Sequence, residues 1–301
     1  MSANDILFGL LGAPGGVPWV PPAASSSPPV GKSSLIPDSY DAVIAQIRPD
    51  FGDEAIIVQV GADKRFARVN DAITYGNNLR AVSSSTPWVV VVIDRGVYSD
   101  EGGRIPLKKT ALISAAGQPR SVTIKAGLEY AVAPYYVEGL IMDAVDSTNA
   151  KYGIHAGIES ACGVLAGCTL THSASTLGSS WPMGTDGGSS GYSLLYDVEL
   201  RGGSNSRTNN HGGIGGSQLA PFKQVYVKVQ SNGGIQYDGL GNDQPDELWV
   251  IDSQAAWAGI ANSASGAYFA TESRPALGAG VYASKMPVVV GSDAWPRPVW
   301  G

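Results

Sequence analysis

Four acids crowd one stretch of this sequence: Asp238, Asp243, Asp246 and Glu247, within Gln236-Tyr237-Asp238-Gly239-Leu240-Gly241-Asn242-Asp243-Gln244-Pro245-Asp246-Glu247. Two or three close carboxylates are what general acid–base cleavage of a glycosidic bond needs. The same oxygens suit calcium, with Asp238, Asp243 and Asp246 as the candidate ligands, although the spacing is not that of an EF-hand. The Gly-Asn-Asp-Gln-Pro-Asp run is also turn chemistry throughout, and such acids ordinarily bond nearby backbone amides. No catalytic residue is therefore assigned, and Asp186, Asp238, Asp243 and Asp246 remain the candidates.

Other chemistry is sparse. His155, His172 and His211 are separated by glycines and apolar runs, with no spaced partner. No Gly-x-Ser-x-Gly elbow occurs, and Gly212-Gly213-Ile214-Gly215-Gly216 lacks the Lys-Ser/Thr that closes a phosphate loop. Cys162 and Cys168 sit in an apolar context and read as buried thiols. A disulfide between them stays open, and no four-ligand zinc pattern exists. No cofactor and no metal are expected. The polar, glycine-rich stretches Ser173–Ser190 and Gly202–Gln218 read as long loops leaving successive turns of the chain from the same place. They would form one face bearing Trp181, Asp186, Arg207 and His211, a candidate binding surface.

These residues need a scaffold, and the sequence supplies short strands. Ile56–Val60 and Val89–Ile93 are apolar, and the second is β-branched and too short for a helix. A strand apolar on both faces needs cover on both sides, as in a parallel arrangement. Between them, Phe66, Val69, Ala72, Ile73, Tyr75 and Leu79 have helical spacing, and this helix is expected to close one end of a stack. Asp94-Arg95-Gly96-Val97-Tyr98 reads as a tight turn. Ala111–Ile113, Ser121–Ile124, Leu140–Met142, Cys168–Leu170, Tyr196–Leu200, Val225–Val229 and Leu248–Ile251 are further strands. Taking Leu170, Leu200, Val227 and Ile251 as equivalents gives steps of 30, 27 and 24 residues, in the solenoid range. Alternation places Val198 and Leu200 inward, with Asp197, Glu199 and Arg201 outward. It likewise places Val225, Val227 and Val229 inward, with Tyr226 and Lys228 outward.

Residues 56–127 resemble the start of the pectin methylesterase group within the pectin-lyase-like, right-handed parallel β-helices. The matching features are Phe66-Ala67-Arg68-Val69-Asn70-Asp71-Ala72-Ile73, the strand ending at Ile93, Gly96-Val97-Tyr98-Ser99-Asp100, Ala111-Leu112-Ile113-Ser114 and Val122-Thr123-Ile124. Asp100 stands where the family usually has Glu. The resemblance implies an all-β parallel β-helix with an N-terminal capping helix. It implies no esterase activity, because the family's aspartate, glutamine and arginine motifs have no counterpart after Tyr135.

The first 36 residues differ in character. Asn4–Leu11 is a short apolar patch with no base before it, the first being Lys32, so it is not a signal peptide. It is also too short to span a bilayer. The proline-stiffened segment from Pro14 to Pro29 has nothing to pack with itself. Residues 1–36 read as an extended arm that orders on assembly, with Ile6, Leu7, Phe8, Leu10, Leu11 and Trp19 as anchor residues. Residues 37–55 form a short helix and linker, with Ala42, Val43, Ile44 and Ile47 on one side. The β-helix runs over 56–290, and 291–301 is a Pro/Trp tail that suits the open end of the stack or a subunit contact.

The 39 glycines, 19 prolines and 15% charged residues fit many strands and turns better than long helices. A net charge of −6 and the lack of a basic stripe exclude nucleic acid as an expected partner. An arm, a β-helix and no active-site motif together resemble the build of phage tailspikes and head spikes. That resemblance implies a non-enzymatic protein on the exterior of a virion, a homotrimer attached through residues 1–36 to other virion proteins. It also implies binding of host-surface polysaccharide, and the alternative is a depolymerase or esterase acting on that polysaccharide.

Overall fold

A computed structural model describes residues 39–300 except 84, 100–106, 127, 144–151, 158–161, 173–180, 187–190, 203–213, 218–222, 237–246, 259–265, 271–287 and 291–292. Among the described residues there are two helices, α1 (Tyr40–Ile47) and α2 (Val69–Ala81). Every strand pairing among them is parallel, so the chain is all-β in character, with two wholly parallel sheets.

The large sheet follows the path β1 (Ile56–Val60), β2 (Val89–Ile93), β4 (Leu107–Ser114), β6 (Leu128–Glu138), β9 (Cys162–Ala166), β12 (Tyr192–Tyr196), β15 (Lys223–Val227), β17 (Glu247–Ile251), β19 (Gly266–Ala270), β20 (Val288–Val290). The second sheet takes the intervening strands: β3 (Gly96–Tyr98), β5 (Val122–Ile124), β7 (Leu140–Asp143), β10 (Thr169–His172), β13 (Glu199–Gly202), β16 (Gln230–Gln236) and β18 (Gln254–Ala258). From β2 onward the chain therefore passes from one sheet to the other and back. A branch of three strands, β8 (Tyr152–Gly157), β11 (Trp181–Asp186) and β14 (Ile214–Ser217), joins the large sheet through the first half of β6.

Register makes the core easy to follow. One row runs Val58, Val91, Leu112, Val137, Leu165, Leu195, Tyr226, Val250 across the large sheet. All eight lie in one buried cluster, together with Val122, Ile124, Leu140, Met142, Leu170 and Leu200 of the second sheet and Val198 at a corner before it. This is the interior between the sheets. Helix α2 adds Val69, Ala72 and Ile73 to that cluster and so covers its first rung. A Cβ on Gly76 of α2 would stand 2.4 Å from Val89 Cγ1, so helix and strand touch only because no side chain intervenes.

The neighbouring row is Ile57, Val90, Ala111, Tyr136, Val164, Leu194, Val225, Trp249. It faces the other way, yet it too is covered, in a second cluster with Val43, Ile44 and Ile47 of α1. Expected and observed structure part company at Tyr226. It is fully buried in the interior, while Val225 and Val227 lie on the outer face, in the cluster that also holds α1 residues and Trp295. The parity of the strand is right, but both its faces are buried.

Tyr196–Leu200 and Val225–Val229 are not single strands. Each bends from one sheet to the other at a residue with positive φ, Asp197 (52°) and Lys228 (55°). Gly139 (76°), Gly167 (59°) and Asp252 (47°) occupy the same corner on other rungs. The corners are stacked by backbone bonds: Gly139, Gly167, Asp197 and Lys228 each donate N–H to the carbonyl of the next rung, all at 2.9 Å. The bend explains why Val227 belongs to the outer cluster and Val229 to the interior. It also separates the rungs that the sequence alone joined. Leu170 pairs with Leu200, which pairs with Ser231, whereas Val227 pairs with Ile251 in the other sheet. Gly96–Tyr98, read as part of a turn, is strand β3.

Gly167 has a second reason to lack a side chain. Its Cβ would come within 2.2 Å of the Tyr40 hydroxyl on α1. Gly167→Ala is expected to destabilise by about 1–2 kcal/mol from the left-handed backbone alone, and further by displacing Tyr40. Urea denaturation measures the first effect, and protease sensitivity near residue 40 reads the second.

Candidate functional site: the clamped outer face of the large sheet

Trp181 and Asp186 stand at the two ends of β11, not on a loop. Ser173–Ser190 and Gly202–Gln218 each contain a strand, β11 and β14, and the two lie side by side in register. Low strand propensity concealed them; neighbours on both sides supply the pairing that Trp-Pro-Met-Gly-Thr-Asp and Ile-Gly-Gly-Ser do not announce. Arg207, His211, Asp238, Asp243 and Asp246 lie outside the described residues, as do Ile6, Leu7, Phe8, Leu10, Leu11 and Trp19. Among the described residues, no group of three or more His, Cys, Asp or Glu side chains is placed to hold a metal ion. No helix among them is long and apolar enough to cross a membrane.

Cys162 and Cys168 are both free and buried. They cannot meet, since Cys162 belongs to the outer cluster and Cys168 to the interior. Burial pushes both thiols up, Cys168 to about 12, so neither forms a reactive thiolate near neutral pH.

The most heavily built polar group is one the sequence reading passed over. Ser39 caps α1, its Oγ accepting from the Ala42 amide at 3.3 Å, and Val43, Ile44 and Ile47 turn toward the large sheet. Immediately after the helix, Arg48 meets Glu138 at the end of β6. Arg48 Nε donates to Oε2 at 3.0 Å and Nη2 to Oε1 at 2.7 Å, while the Tyr136 hydroxyl donates to Oε2 at 2.7 Å. The side chains are 12% and 3% exposed, so the pair is dry. Burial opposes the Arg48 charge, but Glu138 and Tyr136 together more than offset it and hold the guanidinium above its ordinary range. Burial, then Glu138, raises Tyr136, which stays protonated as a donor. A lone acid closing the apolar run Tyr135-Tyr136-Val137 was the available signal, because such a carboxylate needs a partner.

The C-terminal segment completes the clamp. Trp300 donates Nε1–H to the Ile47 carbonyl at 3.0 Å and packs edge-on against Trp88 and Tyr136, at 5.8 and 6.2 Å between centroids. Arg297 donates to Gln46 of α1 at 2.9 Å and lies 3.4 Å over the Trp295 ring. Trp295 stacks on Tyr196, whose other neighbour is Tyr40. The Tyr192 hydroxyl donates to the Pro296 carbonyl at 2.7 Å. These tryptophans lie along the side of the stack, not over its open end. Helix α1 and residues 295–300 are thus bound to each other and to the same sheet face.

A second, more exposed network ties rungs of the second sheet. Arg120 donates to Asp197 Oδ2 at 2.9 Å, to the Asp197 carbonyl at 2.8 Å and to Thr169 Oγ1 at 3.1 Å. Glu199 accepts from Arg201 beside it. Its acids and bases are matched, which suits a staple between rungs better than an acid–base site.

No known protein family, curated protein or solved structure matches this chain. What the clamp does chemically is small; mechanically, it makes α1 part of the sheet.

Proposed function

We propose that the chain is a right-handed parallel β-helix of the pectin-lyase-like kind, acting as a non-enzymatic spike, fibre or decoration protein on the exterior of a bacteriophage particle. Residues 1–36 are its anchor to other virion proteins. The supporting observation is the clamp: the element directly after that segment is locked to the stack by a dry, multidentate ion pair. A pull on the N-terminal segment then passes into the sheet instead of unravelling it. If three copies stand side by side, their contacts use faces other than the part of the large sheet that α1 and the C-terminal segment cover.

Deleting residues 1–36 is expected to abolish incorporation into particles while leaving the thermal unfolding of the remaining chain unchanged. Particles assembled with the truncated protein at normal copy number would overturn the anchor.

A further inference from the structure

A polar row runs beside the apolar one inside the stack. Register aligns Thr110 of β4, Tyr135 of β6, Gly163 of β9, Ser193 of β12 and Gln224 of β15. Each stands two residues before a member of the inner row (Leu112, Val137, Leu165, Leu195 and Tyr226), so all five face the same interior. Thr110, Tyr135, Ser193 and Gln224 are each at most 1% exposed. A polar group taken out of water needs a bond to replace those it lost. Thr110 Oγ1 donates to the Lys108 carbonyl at 2.9 Å, and Gln224 Oε1 accepts from the Tyr226 hydroxyl at 2.6 Å. Tyr135 Oη and Ser193 Oγ have no hydrogen-bond partner among the described residues.

These two hydroxyls approach each other across a strand. β9 lies between β6 and β12 in the sheet. Tyr135 leans over it at Gly163, where a Cβ would stand 2.6 Å from the phenol oxygen. The phenol therefore ends above β9, one strand from Ser193. Neighbouring strands are about 4.8 Å apart, wider than a direct bond and within reach of one water making two bonds of about 2.8 Å. Gly163 and Ser193 are the two smallest members of the row, so the space between the phenol and the serine is not filled from the strands below it. A buried water typically makes about three bonds, and the Gln224 amide on the next rung offers a third partner. We infer that a single structural water is bound inside the stack between Tyr135 Oη and Ser193 Oγ. It braces β6 to β12 across the strand between them, and it does so independently of the N-terminal anchor.

A crystal structure of the full chain reads the site directly. A solvent peak within about 3.2 Å of both Tyr135 Oη and Ser193 Oγ is expected. No peak there, or a protein atom bonded to either oxygen in its place, would overturn the proposal. Urea denaturation of the full chain supplies the energetic counterpart. Tyr135→Phe and Ser193→Ala should each raise the unfolded-to-folded ratio about fivefold, the loss of one ordinary hydrogen bond. The double variant should lose no more than the larger single loss, because the bridge is gone once either hydroxyl is removed. Additive losses would mean that each hydroxyl has a partner of its own, and the bridge would be wrong. A single variant more stable than the wild type is the sign of a hydroxyl buried without any partner, and that result would count against the water equally.

Discussion

Glu138→Ala is expected to cost about 3–5 kcal/mol, since it takes the carboxylate from a guanidinium that has already lost its water. Against a total of roughly 5–15 kcal/mol for a folded domain, that is a large share. The loss should begin locally. Without Glu138, neither Arg48 Nε and Nη2 nor the Tyr136 hydroxyl keeps this acceptor, and α1 then depends on the packing of Tyr40, Val43, Ile44 and Ile47 and on its bonds to Arg297 and Trp300. Limited proteolysis at residues 40–48 should accelerate before the global unfolding midpoint has moved in proportion. Arg48→Met with Glu138→Leu removes both charges and should recover most of the loss, because a dry ion pair adds little over apolar packing once neither partner is stranded. Denaturation of the two single variants and the double variant closes the cycle. If Glu138→Ala moved stability by less than about 1 kcal/mol, the pair would be solvated and the clamp reading wrong.

Tyr226→Ser carries the second large effect. The ring is fully buried in the interior row between Leu195 and Val250, and its hydroxyl donates to Gln224 Oε1 at 2.6 Å. Truncating a buried aromatic side chain costs about 3–5 kcal/mol, through lost transfer energy and the cavity left behind. Tyr226→Phe keeps the volume and gives up one hydrogen bond, so it should cost only about 1 kcal/mol. The urea midpoints of the two variants separate packing from hydrogen bonding. A serine variant as stable as the wild type would place this residue on a solvated face, as simple alternation suggests.

That contrast shows where sequence reasoning stopped. Val89–Ile93 announces its burial because all five side chains are apolar, and the structure buries all five. The helix over Val69–Ala81 was likewise readable, since its inward residues recur at helical spacing. Tyr226 was not, because alternation gives parity without saying which face is covered. Val225 and Val227 are apolar for the sake of α1 and the C-terminal segment, elements far away in sequence. Asp197 and Lys228 hid the corners in the same way: a left-handed backbone at Asp or Lys leaves no mark in composition, as it does at Gly139 and Gly167. β11 and β14 escaped notice because their pairing comes from the rungs on either side.

By itself the sequence determined the period-two strands, the capping helix and the parallel character, since each follows from which side chains avoid water over a short window. Only the tertiary structure decided that the partner of Glu138 is Arg48, that both faces of β15 are buried, and that β8, β11 and β14 pair side by side. Those outcomes depend on which distant segments stack in register, and rung spacing varies too much along the chain for local patterns to specify it.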